Sequence, residues 1–133
     1  MKKKTKRILL ILAAVAMLIF IGMKVFIYMT EQSLGQLKTL EISEIDLAMI
    51  EDGEYIGAYS AFPIAVETLV TVRGHRIESI EILKHDNGQG TPAEAITADI
   101  IKAQSLQVDS VTGATYSSIV ILKSVEKALT DGE

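Results

Sequence analysis

At 133 residues the chain has room for one small domain and an appendage, and its lack of cysteine excludes disulfides, Fe–S clusters and covalently attached haem. The net charge of −4 conceals an asymmetry, because six of the thirteen basic residues precede Thr30 and all seventeen acidic residues follow Met29. The later part therefore sets seven basic residues against seventeen acidic ones, a net of −10 that argues against nucleic acid or anionic headgroups as partners.

Residues 1–7, MKKKTKR, form a basic tail, and residues 8–29 are apolar apart from Lys24. As a helix this stretch of 22 residues would measure about 33 Å, enough for a bilayer core of roughly 30 Å. Lys24 and Tyr28 suit the interface at its far end. A cleaved signal peptide and a retained anchor compete for this segment. The A-x-A pattern at Ala14 and Ala16 lies inside the apolar run rather than after it, which favours a retained signal anchor. The basic tail then stays cytoplasmic, and the chain after Met29 lies outside, in a single-pass arrangement.

Residues 30–44 read as a stalk, helical or extended, with Leu34, Leu37 and Leu40 at three-residue steps. The globular unit is expected over 45–133. Asp52-Gly53 signals a turn, after which Tyr55, Ile56 and Tyr59 make a short strand up to the break at Pro63. Residues 64–73, IAVETLVTVR, and 76–84, RIESIEILK, are strands joined by Gly74-His75 into an antiparallel hairpin. His75 falls at the hairpin tip, on the surface. The loop HDNGQG follows at 85–90. His85 and Asp86 read either as a loop histidine with a solvated neighbour or as an incomplete metal pair, since two adjacent ligands do not make a site.

Thr91, Pro92 and Glu94 supply an N-cap, a proline at the first helical position and a capping-box acid. Ala95, Ile96, Ile100 and Ala103 give that helix its buried stripe, with Asp99 and Lys102 pairing outside, and Leu106 and Val108 extend towards the next turn. There Asp109 opens DSVTGATYSS. From Tyr116 on, Ile119, Leu122, Glu126 and Leu129 fall near helical spacing, with Val125 and Ala128 filling out the apolar side. Thr115, Ser117 and Ser118 thus sit at a helix start, where unpaired N–H groups suit an anion, above all a phosphate. Gly113 and Ala114 keep the approach to the Thr115 hydroxyl bare. An ordinary N-cap is the plainer account of the same residues. The element order gives an α+β fold: a small antiparallel sheet with two helices on one face, preceded by one N-terminal transmembrane helix.

Asp109, Thr112, Gly113, Ala114 and Thr115 spell D-x-x-T-G-A-T. This resembles the flavinylation motif of the FMN-binding domain family, whose domain is found within the sodium-translocating NADH:quinone reductase and the Rnf complex. DGEYIGAY and VTVRGHRIESIEILKH are similar to the family's opening strands. The resemblance implies covalent FMN, moved from FAD by a flavin transferase onto Thr115 through a phosphoester. It implies cofactor-binding roles for Thr112, Gly113, Ala114, Ser117 and Ser118, and transferase recognition through Asp109, Thr112, Gly113, Ala114 and Thr115. It also makes His85 a candidate flavin neighbour and the chain a small stand-alone, membrane-anchored form.

No nucleophile–base triad, carboxylate pair, G-x-G-x-x-G or P-loop is legible. Redox chemistry here would therefore come from a cofactor. An extracytoplasmic electron carrier, working with redox partner proteins or a quinone-linked membrane system, is the expected function. The alternatives are a non-redox binding or assembly module with Thr115 unmodified, and an enzyme reducing its own substrate.

Overall fold

The computed structural model describes residues 2–86 and 91–131, so residues 87–90 of the expected loop lie outside the described residues. Helix α1 spans Lys2–Leu37, with the side chains of its apolar stretch exposed. It is long and apolar enough to cross a membrane, which both anchors and signal sequences are. The chain divides into two compact units, Met1–Gln32 and Ser33–Glu133.

In the second unit, β1 (Gly53–Ala61), β2 (Ile64–Arg73) and β3 (Arg76–Asp86) form an antiparallel sheet in the order β1-β2-β3. Then come a 3-10 turn at Thr91–Ala95, helix α2 (Ile96–Ala103) and helix α3 (Thr115–Asp131). This is the expected α+β fold, and 64–84 is strand and turn throughout. The expected first helix divides, its opening residues winding as 3-10. The Glu94 carboxylate, read as closing a capping box, lies 3.0 Å from Nδ1 of His85.

Period-two patterning sets the sheet's inner face. Ile64, Val66, Thr68, Val70 and Val72 alternate as buried residues along β2. The β2–β3 turn is two residues long, with φ of 58° at Gly74 and 57° at His75, the pair of positive values that a type I′ hairpin requires. Asp52 Oδ1 accepts from the Gly74 amide at 2.7 Å, and His75 Nδ1 donates to the Ile50 carbonyl at 3.0 Å. His75 is exposed, as expected, and its ring ties the hairpin to the approach to β1.

Helix α3 packs on β1 and β2, and α2 on β3. At the crossing of α3 with β1, Gly57 makes close approach possible. A Cβ there would meet the Ser124 carbonyl and the Ala128 amide, and would come within 2.8 Å of the Ala128 Cα. Beside it, Thr68 and Ser124 share a buried hydroxyl contact at 3.2 Å, and Ser124 donates to the Ile121 carbonyl at 2.7 Å. Ile96, Ile100, Leu122 and Leu129 are buried as expected; Ile119 is half-buried at the core's margin.

Helix α3 buries more of its circumference than a single stripe, including Val120, Ile121, Val125 and Ala128. The residues before β1 help to cover this core. Leu37 is 1% exposed, and Leu34, Leu40, Ile42, Ile45 and Leu47 pack against it. Part of the segment read as a stalk is thus packed into the compact unit, which takes in residues from Ser33 onward. Lys123 reaches the Glu41 carbonyl at 3.4 Å and Glu126 at 2.7 Å, which neutralises a nearly buried carboxylate. At the other edge, Gln104 takes φ 52° as the C-cap of α2. Its side-chain amide accepts from the Ile77 amide at 2.8 Å and donates to the Ile77 carbonyl at 2.9 Å, pairing with β3 as a short strand would.

Candidate functional site

The motif folds as a turn that hands the chain to α3. The Ala114 amide donates to the Val111 carbonyl at 2.9 Å, closing a four-residue turn with Gly113 at φ 80°. That value is the one the third position of a type II turn demands, and glycine meets it without cost. Helix α3 begins at Thr115, so Thr115 occupies the first helical position.

Ser118 locks this geometry. Its hydroxyl accepts from the Val111 amide at 3.0 Å and donates to the Ala114 carbonyl at 2.8 Å, and the residue is wholly buried. The first helical amide bond runs from Ser118 to the Ala114 carbonyl at 2.9 Å. The amides of Thr115, Tyr116 and Ser117 come before it and have no helical partner, as at any α-helix start. They lie beside the exposed Thr115 side chain, where the helix dipole adds partial positive charge.

These residues border a cleft of about 290 Å³ lined by Leu34, Pro63, Ile64, Gly113, Ala114, Thr115, Tyr116 and Ser117. One wall is amide and hydroxyl, and the other is apolar. A Cβ at Gly113 would meet nothing within 4 Å, so the mouth is open there. Tyr116 is half-buried, and Lys38 Nζ lies 5.9 Å from its ring centroid. Among the described residues no group of three potential metal ligands occurs.

The site residues expected from sequence divide into three groups. Gly113, Ala114, Thr115 and Ser117 line the cleft. Asp109 and Thr112 are exposed and outside its lining, and Ser118 lies beneath the turn with its hydroxyl fully engaged. His85 stands apart on β3, paired in register with Val66 and bonded to Glu94. Sequence reasoning did not include Leu34, Pro63 and Ile64 in this site. No local pattern links Leu34 to a motif far along the chain, whereas Tyr116 was within reach as the residue next to Thr115.

The cleft sets helix-start amides and the Thr115 hydroxyl on one side against the apolar side chains of Leu34, Pro63, Ile64 and Tyr116 on the other, an arrangement that suits a ligand with an anionic end and a flat apolar part. An uncharacterized protein of Treponema pallidum (strain Nichols) is 32% identical over 85 residues, an alignment covering 62% of this chain and 24% of that protein. The chain thus spans about a quarter of the length of the curated relative it matches. The model of the FMN-binding domain matches residues 62–130, which holds β2, β3, α2, the motif and nearly all of α3, and the chain belongs to the FMN-binding domain family.

Proposed function

We propose that the chain is a membrane-anchored, extracytoplasmic flavoprotein electron carrier with FMN joined to Thr115 through a phosphoester. The observation that carries this reading is the exposed Thr115 side chain at the first position of α3, beside three amides that precede the first helical bond. A phosphodiester at Thr115 keeps one negative charge, which those amides and the helix dipole stabilise. The bound FMN supplies the electron-accepting chemistry, and the chain's own residues orient it. The apolar wall of Leu34, Pro63, Ile64 and Tyr116 takes the ring and limits its contact with water.

Attachment requires an FAD-dependent flavin transferase as a maturation partner. Asp109 and Thr112 are exposed and free of side-chain hydrogen bonds among the described residues, which suits residues read by that partner rather than by the flavin. The residues 1–7 and α1 support a single-pass anchor with the N-terminus cytoplasmic, and electrons then pass to redox proteins or a quinone-linked system at the membrane.

The test is the intact mass of the chain co-produced with a flavin transferase of this type and Mg²⁺. Wild type gains the mass of FMN, Thr115→Ala gains none, and Thr115→Ser retains part because its hydroxyl survives. Asp109→Ala and Thr112→Ala lower the modified fraction without moving the site. An FMN-sized gain that persists in Thr115→Ala places the attachment elsewhere. No gain in wild type leaves a non-redox binding or assembly module.

A further inference from the structure

Helix α3 packs on β1 and β2 over the face that holds Gly57, Thr68 and Val70, and α2 packs on β3. Strand alternation sends Ile56, Ala58, Leu69 and Glu81 to the other face. An antiparallel sheet with one face in water alternates apolar inside with polar outside. That pattern fails at the centre of the outer face. Register sets Ile56 opposite Leu69 and Leu69 opposite Glu81. Leu83, two residues beyond Glu81 at the β-bulge, is the diagonal neighbour of Leu69. Ile56 is 56% exposed and Leu83 45%, whereas exposed large apolar side chains elsewhere in the described part of the compact unit are Met49 and Phe62. Single exposed apolar residues are ordinary on a protein surface, but a contiguous group marks a contact surface.

Charge frames this patch. On the same face Arg73 pairs with Glu78 at 3.1 Å and Lys84 with Asp86 at 3.2 Å. Glu54, Glu67 and Glu81 form no ion pair among the described residues. Glu54 lies two residues before Ile56 on β1, Glu67 sits opposite Ala58, and Glu81 opposite Leu69. These uncompensated carboxylates weigh against two occupants. A second copy stacked face to face would set them against their own equivalents, a like-charge opposition. An anionic bilayer surface is repelled by them and by the net charge of −10 beyond Met29. Lysine and arginine complement them.

We propose that this outer face of the sheet is a docking surface for an amphipathic helix of a partner protein, its leucine- or isoleucine-type stripe flanked by lysine or arginine. A helix is about 10 Å across, close to the roughly 10 Å that separate the outer strands of a three-stranded sheet. Its stripe covers Ile56, Leu69 and Leu83, while its basic flanks meet Glu54, Glu67 and Glu81. One helix buries less area than a stable complex needs, so binding is weak, and the charged rim makes it sensitive to salt. The cleft and Thr115 lie on the face that carries α3, so docking leaves them open and requires no flavin.

The test uses the full-length chain in nanodiscs of phosphatidylcholine, with isoleucine and leucine methyl groups labelled for NMR. The probe is a helical peptide of about five turns built from leucine and lysine, with the leucines in one stripe. It is expected to shift the methyl signals of Ile56, Leu69 and Leu83 and to leave those of the buried Ile100 and Ile121 in place. Combining Glu54→Lys with Glu81→Lys weakens binding about tenfold, since each exposed charge contributes a few-fold. Ile56→Lys, at an exposed position of an edge strand, abolishes the shifts, and unchanged Ile100 and Ile121 signals report an intact fold. A peptide with the same stripe and glutamate in place of lysine gives no shift. Equal binding of the two peptides, equal affinity in the charge-reversed variant, or shifts confined to other residues overturns the proposal. So do shifts of these methyl groups that arise without peptide. Those produced by raising the protein concentration make a second copy the occupant, and those produced by phosphatidylserine make it the bilayer. Because the unmodified chain serves, failure here leaves the Thr115 reading standing, and a chain that never gains the FMN mass leaves this surface standing.

Discussion

At the scale of single residues, two glycines serve opposite ends. Gly57 is needed for space, since a Cβ would collide with the backbone of α3 at Ser124 and Ala128. Backbone cannot swing aside as a flexible side chain can. Gly57→Ala should therefore lift α3 from β1 and cost about 1–3 kcal/mol, as overpacked sites do. Gly113 is needed for conformation: its φ is 80°, while the space around it is open. Gly113→Ala should cost about 1–2 kcal/mol, the penalty of placing an L side chain in the left-handed region. The two separate experimentally. Denaturant unfolding should register both substitutions, and intact-mass analysis with the transferase should show the flavinylated fraction falling more in Gly113→Ala. Equal flavinylation of the two variants would mean that the turn does not present Thr115.

At the scale of elements, β3 is one of the two edge strands of the sheet, and Gln104 covers part of its edge. Its side-chain amide exchanges a donor–acceptor pair with Ile77, and its Nε2 also reaches the Ile101 carbonyl at 2.6 Å. Unpaired strand edges invite pairing with other chains, so this contact both holds α2 to the sheet and blocks part of the edge. With each bond worth about 0.5–1.5 kcal/mol net, Gln104→Ala should destabilise the unit by about 1–3 kcal/mol. Hydrogen exchange at the Ile77 amide should accelerate well beyond that at Val70 in the central strand. Uniform acceleration across the sheet would show that Gln104 acts on global stability and not on the edge.

At the scale of the whole chain, residues 33–61, which precede the family-matched stretch, belong to the fold. Leu37 is 1% exposed, and Leu34 lines the cleft beside Thr115. A chain beginning at Ser33 should fold without the apolar part of α1. One beginning at Ile45 loses Leu34, Leu37, Leu40 and Ile42 from the core and should unfold at markedly lower denaturant. Leu37→Ala in the longer chain should cost about 2–5 kcal/mol, the range for truncating a buried leucine. Equal stability of the two truncated chains would return residues 33–44 to the role of a spacer.

Much of this was legible along the chain because its causes are local. The 8–29 run, the alternation in 64–73, the Gly74-His75 turn and the Thr-Gly-Ala-Thr start of α3 each rest on neighbours within a few residues. Period, capping and turn chemistry therefore sufficed to give the α+β order and to place Thr115 at a helix start. What lay outside such reasoning depends on segments that meet only after folding. Ser117 and Ser118 look equivalent in sequence, yet one lines the cleft and the other spends both hydrogen-bonding roles on Val111 and Ala114. Glu94 has the spacing of a capping-box residue, but a buried imidazole from β3 takes its carboxylate. Leu34 and Leu37 read as stalk along the chain, yet Leu37 belongs to the core and Leu34 packs against it. Sequence by itself determined the elements and the threonine hydroxyl at the start of α3; the tertiary structure decided what surrounds that hydroxyl, because burial and partner choice are set by contacts between residues distant in the chain.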